Sequence, residues 1–182
     1  MVGMTGLFKI RNGPLIFFLL AVLGVCAEIS FSVEGISMVE GVELHTCRDD
    51  QFGVRFSCNP DWEIEIHEGS VLLIISKDPA VTMTIAQTAT PLVFISQINK
   101  KFLQEMGHYS DGFETEQVRL ANQDAIKVKA FSREFSEVRL LDYYVLRGKV
   151  LYSILFSVNP KDEWDHYKFL IKRITDSFAF IN

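Results

Sequence analysis

The sequence predicts an α+β fold in which an antiparallel β-sheet is flanked by helices, as an α/β/α sandwich. Its 182 residues are 48% hydrophobic and 23% charged, which is typical of one folded domain rather than a disordered chain. Hydrophobic side chains alternate with polar ones along seven segments, fill an eighth segment throughout, and recur every three to four residues along two others, which indicates strands and helices. The short connections between the strands favour antiparallel pairing.

The first half of the folded region has the two-residue period of strands. Hydrophobic side chains alternate with polar ones over residues 52–56 and again over residues 62–66, after an Asn-Pro-Asp turn. Residues 71–75 are hydrophobic on both faces, which predicts a central strand that is covered on each side. Residues 81–85 return to alternation and predict a fourth strand.

A helix is predicted after these strands, because hydrophobic residues recur every four positions. The residues concerned are Phe94, Ile98, Phe102 and Met106. Thr90 is expected to cap this helix, Pro91 to occupy its first position and Gly107 to end it.

Strand periodicity returns in the second half, over residues 118–120, 126–130, 138–146 and 150–158. Arg147-Gly148-Lys149 predicts a tight hairpin between the last two of these strands.

A second helix is predicted near the end of the sequence. Asn159 is expected to cap it and Pro160 to occupy its first position. Its hydrophobic stripe has to be buried against the sheet, as does that of the first helix. The stripe consists of Trp164, Tyr167, Ile171, Ile174 and Phe178.

Residues 1–27 are predicted to be a signal peptide. Lys9 and Arg11 precede a hydrophobic run that is shorter than the roughly 20 residues of a membrane-spanning helix. Val25-Cys26-Ala27 fits the small-residue cleavage rule, so we expect the mature chain to begin at Glu28, in the periplasm or outside the cell. Two alternatives stay open: a membrane-anchored lipoprotein, because residues 23–26 resemble a lipobox ending at Cys26, and an uncleaved anchor.

The remaining sequence divides into a lead-in segment over residues 28–50, with one short strand at most, and a folded domain over residues 51–182. Eighteen basic against 23 acidic residues give a formal charge of −5, which disfavours nucleic acid as a partner. An anionic membrane surface would also repel this charge. We therefore expect membrane contact only through a lipid on Cys26 or an uncleaved signal.

Cys47 and Cys58 are the only cysteines left after the expected cleavage. A cysteine pair in an exported domain is usually bridged, so a disulfide is predicted between them. The alternative, two free buried cysteines that pack as small hydrophobic residues, stays open at this point.

One stretch of the sequence, Asp50-Gln-Phe52-Gly-Val-Arg-Phe56-Ser-Cys-Asn-Pro60-Asp-Trp62, resembles the opening of the PsbP-like family. In that family an aromatic-rich strand leads into a Pro-x-Trp turn. The resemblance covers about residues 45–182, through the order of strands and helices. It implies an antiparallel sheet between helical layers and a non-enzymatic role in binding or assembling other proteins, and it implies no catalytic residues.

No sequence pattern names a reaction. The Gly-x-Ser-x-Gly elbow, the His-Glu-x-x-His metal motif and the Gly-rich phosphate loop are absent from the sequence, so no catalytic, cofactor-binding or metal-binding residue is predicted. Asp162 and His166 lie four residues apart, a spacing that could place two metal ligands on one helix face. We expect this pair to be a surface polar pair, and His67 to be an exposed strand residue.

Two further patterns have a simple structural explanation. The acid pairs Glu63/Glu65 and Glu114/Glu116 alternate along strands, as solvated faces do. Aromatic and basic residues interleave later in the chain, which could stack bases or bind a partner, but core packing beneath lysine-rich strand faces explains it more simply. These residues are Phe113, Lys127, Lys129, Phe131, Arg133, Phe135, Arg139, Tyr143 and Tyr144.

The sequence thus favours an exported, non-enzymatic protein-binding or assembly factor that needs no cofactor. Its partner is expected to be another protein. Two alternatives remain: a small metal-dependent or hydrolytic enzyme with a cleft around His67 or His166, and a carrier of an apolar ligand in a cavity between sheet and helix.

Overall fold

The computed structural model describes residues 31–39, 42–67, 71–75, 81–106 and 108–181. The predicted signal peptide with Cys26, its cleavage site, and the expected helix stop at Gly107 lie outside these ranges.

Within the described ranges the chain forms eleven strands and two α-helices. The strands are β1 (Phe31–Val39), β2 (Val42–Asp49), β3 (Val54–Cys58), β4 (Glu63–His67), β5 (Val71–Ile75), β6 (Val81–Ala89), β7 (Glu114–Leu120), β8 (Gln123–Phe131), β9 (Arg139–Arg147), β10 (Val150–Val158) and β11 (Ala179–Phe180). The helices are α1 (Lys100–Met106) and α2 (Trp164–Ser177), and short 3₁₀-helices cover Ile95–Gln97 and Lys161–Glu163.

The strands form two antiparallel sheets rather than the single sheet that the sequence predicted. A seven-stranded sheet has the order β4-β5-β6-β10-β9-β8-β7, and a four-stranded sheet has the order β1-β2-β3-β11. The predicted α+β class is confirmed, but β3 pairs with β2 and β11 instead of joining the main sheet. The central strand of the main sheet is β10, and β5 lies next to the edge strand β4. Hydrophobicity on both faces does not tell how far a strand lies from the edge.

Both faces of the seven-stranded sheet are covered, which makes the predicted sandwich. On one face, Phe156 of β10 belongs to a buried cluster that includes Ile171 and Ile174 of α2 and residues of β3. On the other face, Leu103 of α1 packs in a second buried cluster with Val128 of β8. We call these the α2 face and the α1 face.

The predicted lead-in segment holds two strands where one at most was expected. Strands β1 and β2 form a hairpin, and β2 continues the sheet through β3. The side chains of Leu44 and Cys47 are buried. Cys47 and Cys58 form the predicted disulfide between β2 and β3, with their Cα atoms 5.8 Å apart. The polar residues that alternate along β2 hid its strand character in the sequence.

Helix α1 is much shorter than predicted. It begins at Lys100, and the Asn99 side chain accepts a hydrogen bond from the Phe102 backbone N–H, 3.1 Å away. Residues 90–94 form no helix, and the Gln97 side chain accepts hydrogen bonds from the backbone N–H groups of residues 93 and 94 at the start of the 3₁₀-helix. Phe94, expected in the buried stripe, is 66% exposed. Thr90 and Pro91 therefore do not begin the helix.

Helix α2 keeps its predicted stripe but begins later than expected. A 3₁₀-helix over Lys161–Glu163 precedes it, so Asn159 and Pro160 do not begin the α-helix. Tyr167, Ile171 and Ile174 are buried, as the periodicity predicted.

The last strand returns to the four-stranded sheet. Strand β11 pairs with β3, and the Ile181 backbone N–H donates to the Gly53 carbonyl at 2.9 Å. The Ser177 hydroxyl at the end of α2 accepts a hydrogen bond from the Ser57 N–H at 2.7 Å. Strand β3 therefore lies between the early strand β2 and the last strand β11.

Candidate binding groove on the α1 face

A groove with a volume of about 760 Å³ lies on the α1 face of the seven-stranded sheet. Helix α1 has only seven residues. The buried cluster on the α1 face covers β8 and β9 more than β6 and β10. Thr84, Ser153 and Leu155 of these two barely covered strands face the groove. Met106 at the end of α1 and Phe135 in the loop before β9 form its walls.

Phe135 is the most exposed aromatic residue of this groove. Its side chain is 62% exposed, and the polar residues Ser132, Arg133 and Glu134 beside it also line the groove. The loop that carries it is held in place, because the Phe135 backbone N–H donates to the Ser132 hydroxyl at 3.1 Å and the Phe135 carbonyl accepts from the Val138 N–H at 2.9 Å. The aromatic ring is therefore presented at the rim by a hydrogen-bonded turn.

A buried carboxylate lies at the base of the groove. Asp142 sits in the middle of β9 and is only 3% exposed. The Tyr109 hydroxyl donates to its Oδ2 at 2.6 Å, and the Ser153 hydroxyl donates to its Oδ1 at 2.9 Å. The Tyr109 and Tyr144 hydroxyls are 2.6 Å apart and share a further hydrogen bond. Four side chains from three separate parts of the chain thus form one buried polar network.

Burial dominates the electrostatics of this network. Desolvation raises the pKa of Asp142, and hydrogen bonds from Tyr109 and Ser153 oppose this change only in part. The pKa of Tyr109 and that of Tyr144 are raised as well. Burial is the largest cause, and the nearby Asp142 charge is the second. Both tyrosines therefore stay protonated and act as donors. No ion pair joins Asp142 to a cation among the residues that the structure describes.

The residues that the sequence offered as metal or catalytic candidates do not come together here. Asp162 and His166 are both exposed, and the His166 ring lies against the Tyr167 ring at 4.7 Å. In the described part of the chain, no three His, Cys, Asp or Glu residues form a group that could hold a metal ion. The side chain of His67 lies outside the described residues. Glu63 is exposed, as expected for a solvated strand face.

The interleaved aromatic and basic residues divide between the core and the surface. Phe113, Tyr143 and Tyr144 are buried, as core packing predicted, whereas Phe131 and Phe135 are exposed. Lys127 pairs with Glu116 across β7 and β8 at 3.3 Å. The pattern therefore does not form a continuous basic surface.

A second groove, of about 340 Å³, lies on the α2 face between β8 and α2. Lysines line it, but acids neutralise much of their charge: Lys168 pairs with Asp165 at 2.9 Å, and Lys172 pairs with Asp176. This pairing makes the second groove a weaker candidate for binding a charged ligand.

Sequence reasoning missed Asp142, Tyr109 and Ser153. One signal was present, because Asp142 is the only acidic residue within the strand predicted over residues 138–146. Strand alternation places Leu140, Asp142 and Tyr144 on one face, and both neighbours of Asp142 on that face are buried. An acid in such a row indicates a buried polar network.

None of the described helices is long and hydrophobic enough to cross a membrane. No protein-family model matches the sequence, and the comparison with curated proteins finds no match either.

Solved structures nevertheless define the class of fold: an antiparallel α/β/α sandwich of the PsbP-like kind. Cyanobacterial PsbP from Synechocystis superposes with a TM-score of 0.55 at 15% identity, over 87% of this chain and 98% of that one. LpqN from Mycobacterium tuberculosis is described as involved in cell envelope biogenesis. It superposes with a TM-score of 0.51 at 14% identity, over 71% of this chain and 83% of that one. The Ran-binding protein Mog1p from Saccharomyces cerevisiae superposes with a TM-score of 0.50 at 8% identity, over 84% of this chain and 97% of that one. The chain therefore has the PsbP-like fold that its opening motif implied.

Proposed function

We propose that this chain is an exported, non-enzymatic factor that binds or assembles another protein through the rim of the groove on the α1 face. Phe135 is the observation that carries the proposal. An aromatic side chain that is 62% exposed beside a concave, largely hydrophobic surface is typical of a protein–protein contact. Such residues often contribute most of the binding free energy.

Proteins with the same fold support a binding role. Yeast Mog1p is described as a Ran-binding protein, although only its fold is shared with this chain. The proposal of export rests on the signal-peptide pattern of residues 1–27, and the Cys47–Cys58 disulfide is consistent with an oxidising compartment.

Chemical crosslinking in the native host, followed by recovery of the full-length chain, tests this proposal. We expect the wild type to recover a partner protein that Phe135→Ala fails to recover. Phe169→Ala is the matched control, because Phe169 is also 62% exposed but belongs to α2, which packs on the opposite face of the sheet. Equal recovery by both variants, or no partner with the wild type, would refute the proposed surface.

The groove also supports a second candidate function, that of an apolar-ligand carrier. Its walls include Met106, Val138 and Leu155, and its volume is in the range of small-molecule sites. Native mass spectrometry of freshly purified protein would reveal a retained small molecule. A single peak at the mass of the protein alone, under conditions that preserve known lipid complexes, would contradict this function.

A further inference from the structure

We propose that the groove on the α1 face contains a specific site for an amphiphilic primary amine, with the ammonium group at Asp142 and the hydrophobic chain along Met106, Phe135 and Val138. The site depends on Asp142 at the base of the groove rather than on a protein partner at its rim. The inference therefore stands apart from the proposed function and fails or succeeds separately.

When Asp142 is ionised, its charge is only partly compensated by the described residues. Its hydrogen-bond donors, Tyr109 and Ser153, are neutral hydroxyl groups, and no described cation pairs with it. Buried charges in proteins are normally paired, because neutral donors replace only part of the lost hydration. A ligand cation would supply the missing partner within a site of low dielectric.

None of the described charged side chains around the groove forms an ion pair with Asp142. His108 is exposed, although its charge acts on Asp142. Arg133 pairs with Asp111 at 3.2 Å, and Glu134 at the rim is exposed and acidic. Besides His108, the rim therefore carries one acid, Glu134, and one base, Arg133, that is already paired with a second acid.

The geometry selects a primary ammonium over larger cationic groups. Asp142 is 3% exposed, which favours a compact head group, and a quaternary ammonium has no N–H with which to bind the carboxylate. A primary ammonium carries three donors. One can bind Asp142, and the Ser153 and Tyr144 hydroxyl oxygens beside it can accept the others.

The hydrophobic part of the ligand follows from the walls. Met106, Phe135 and Val138 lie on one side of the groove, and Leu155 lies on the sheet opposite them. An alkyl or aromatic body that extends from the ammonium would be removed from water between these side chains. Burial also raises the pKa of Asp142, so a bound cation would favour its ionised form, and affinity should rise with pH.

Calorimetric titration of the purified protein with n-octylammonium chloride, n-octanol and sodium octanoate tests the site. We expect the wild type to bind octylammonium roughly tenfold more tightly than octanol, and octanoate most weakly. Asp142→Asn should bind octylammonium and octanol equally. Asp162→Asn, which removes an exposed acid, is the control for net charge and should keep the preference.

Two results would overturn the site: equal affinity of the wild type for octylammonium and octanol, or an unchanged preference in Asp142→Asn. Because the first comparison needs only the wild type, the inference stays testable if Asp142→Asn does not fold. Crosslinking through Phe135 is a separate readout, so a loss of the protein partner and a loss of amine binding are distinguishable.

Discussion

At the residue scale, the disulfide could be predicted by counting cysteines, whereas the buried polar network could not, because its members lie far apart along the chain. The Cys47–Cys58 disulfide followed from the two cysteines that remain after the expected cleavage. Asp142 was not singled out, because its role depends on Tyr109 and Ser153, which lie 33 and 11 residues away along the chain. Strand periodicity carries no information about which residues meet across such separations.

Asp142→Asn should change how the stability of the protein depends on pH. Burial raises the pKa of Asp142 in the folded state above its usual 3.8, so the unfolded chain loses this proton first. The free energy of unfolding of the wild type should therefore fall relative to that of the variant as the pH rises. The fall begins above the pKa of Asp142 in the unfolded chain and ends above its pKa in the folded protein. Its slope is at most about 1.4 kcal/mol per pH unit.

Urea unfolding of both proteins at a series of pH values measures this difference. Asp124→Asn, at an exposed position, is the control and should show little of the effect. A stability difference between the wild type and Asp142→Asn that stays constant with pH would contradict the prediction.

Replacing both cysteines, as Cys47→Ser with Cys58→Ser, should destabilise the protein by about 3 kcal/mol. The disulfide closes a short loop, with a sequence separation of 11, and so restricts the unfolded chain. Denaturant unfolding of the wild type in oxidising and reducing buffer provides the comparison. The reductant should lower the midpoint of the wild type and leave that of the double variant unchanged. Two free thiols in unreduced wild-type protein would argue against the bridge.

At the element scale, periodicity predicted β3 to β10 and α2 well but failed for α1 and missed the lead-in hairpin. Phe94 fits a four-residue repeat, yet its backbone is extended, and the Gln97 side chain accepts a hydrogen bond from its N–H at the start of a 3₁₀-helix. The hydrophobic repeat does not reveal where such a cap begins a helix.

Asn99→Ala should destabilise the protein by about 1 kcal/mol, because the Asn99 side chain satisfies the free Phe102 N–H at the start of α1. Gln104→Ala, at an exposed position within the same helix, is the control and should change stability by less than about 0.5 kcal/mol. Chemical denaturation of the three proteins measures both effects. Equal stability of Asn99→Ala and the wild type would show that the cap contributes nothing.

At the scale of the whole molecule, the resemblance and the order of elements predicted the sandwich, whereas the division into two sheets had no signal in the sequence. The two buried clusters share the strands between them: Tyr143 belongs to the α2 face and Tyr144 to the α1 face of the same strand. Each cluster holds β9 in place for the other. We therefore expect the two faces to unfold together.

Leu103→Ala tests this cooperativity. Leu103 is fully buried on the α1 face, and its truncation should cost about 2 to 5 kcal/mol. Trp62 and Trp164 belong to the opposite cluster, so their fluorescence reports on the α2 face. The unfolding midpoint measured by tryptophan fluorescence should shift as far as that measured by circular dichroism. A fluorescence midpoint that stays at the wild-type value would show that the two faces unfold independently.

The meeting of β2, β3 and β11 has a consequence for how the chain folds. Strand β3 pairs with β2, which directly precedes it, and with β11, which lies more than a hundred residues later, as the Ser57–Ser177 hydrogen bond with its separation of 120 residues shows. Such a high contact order makes the entropy of loop closure a large part of the folding barrier. A nascent chain therefore cannot complete its four-stranded sheet until residue 180 has been synthesised.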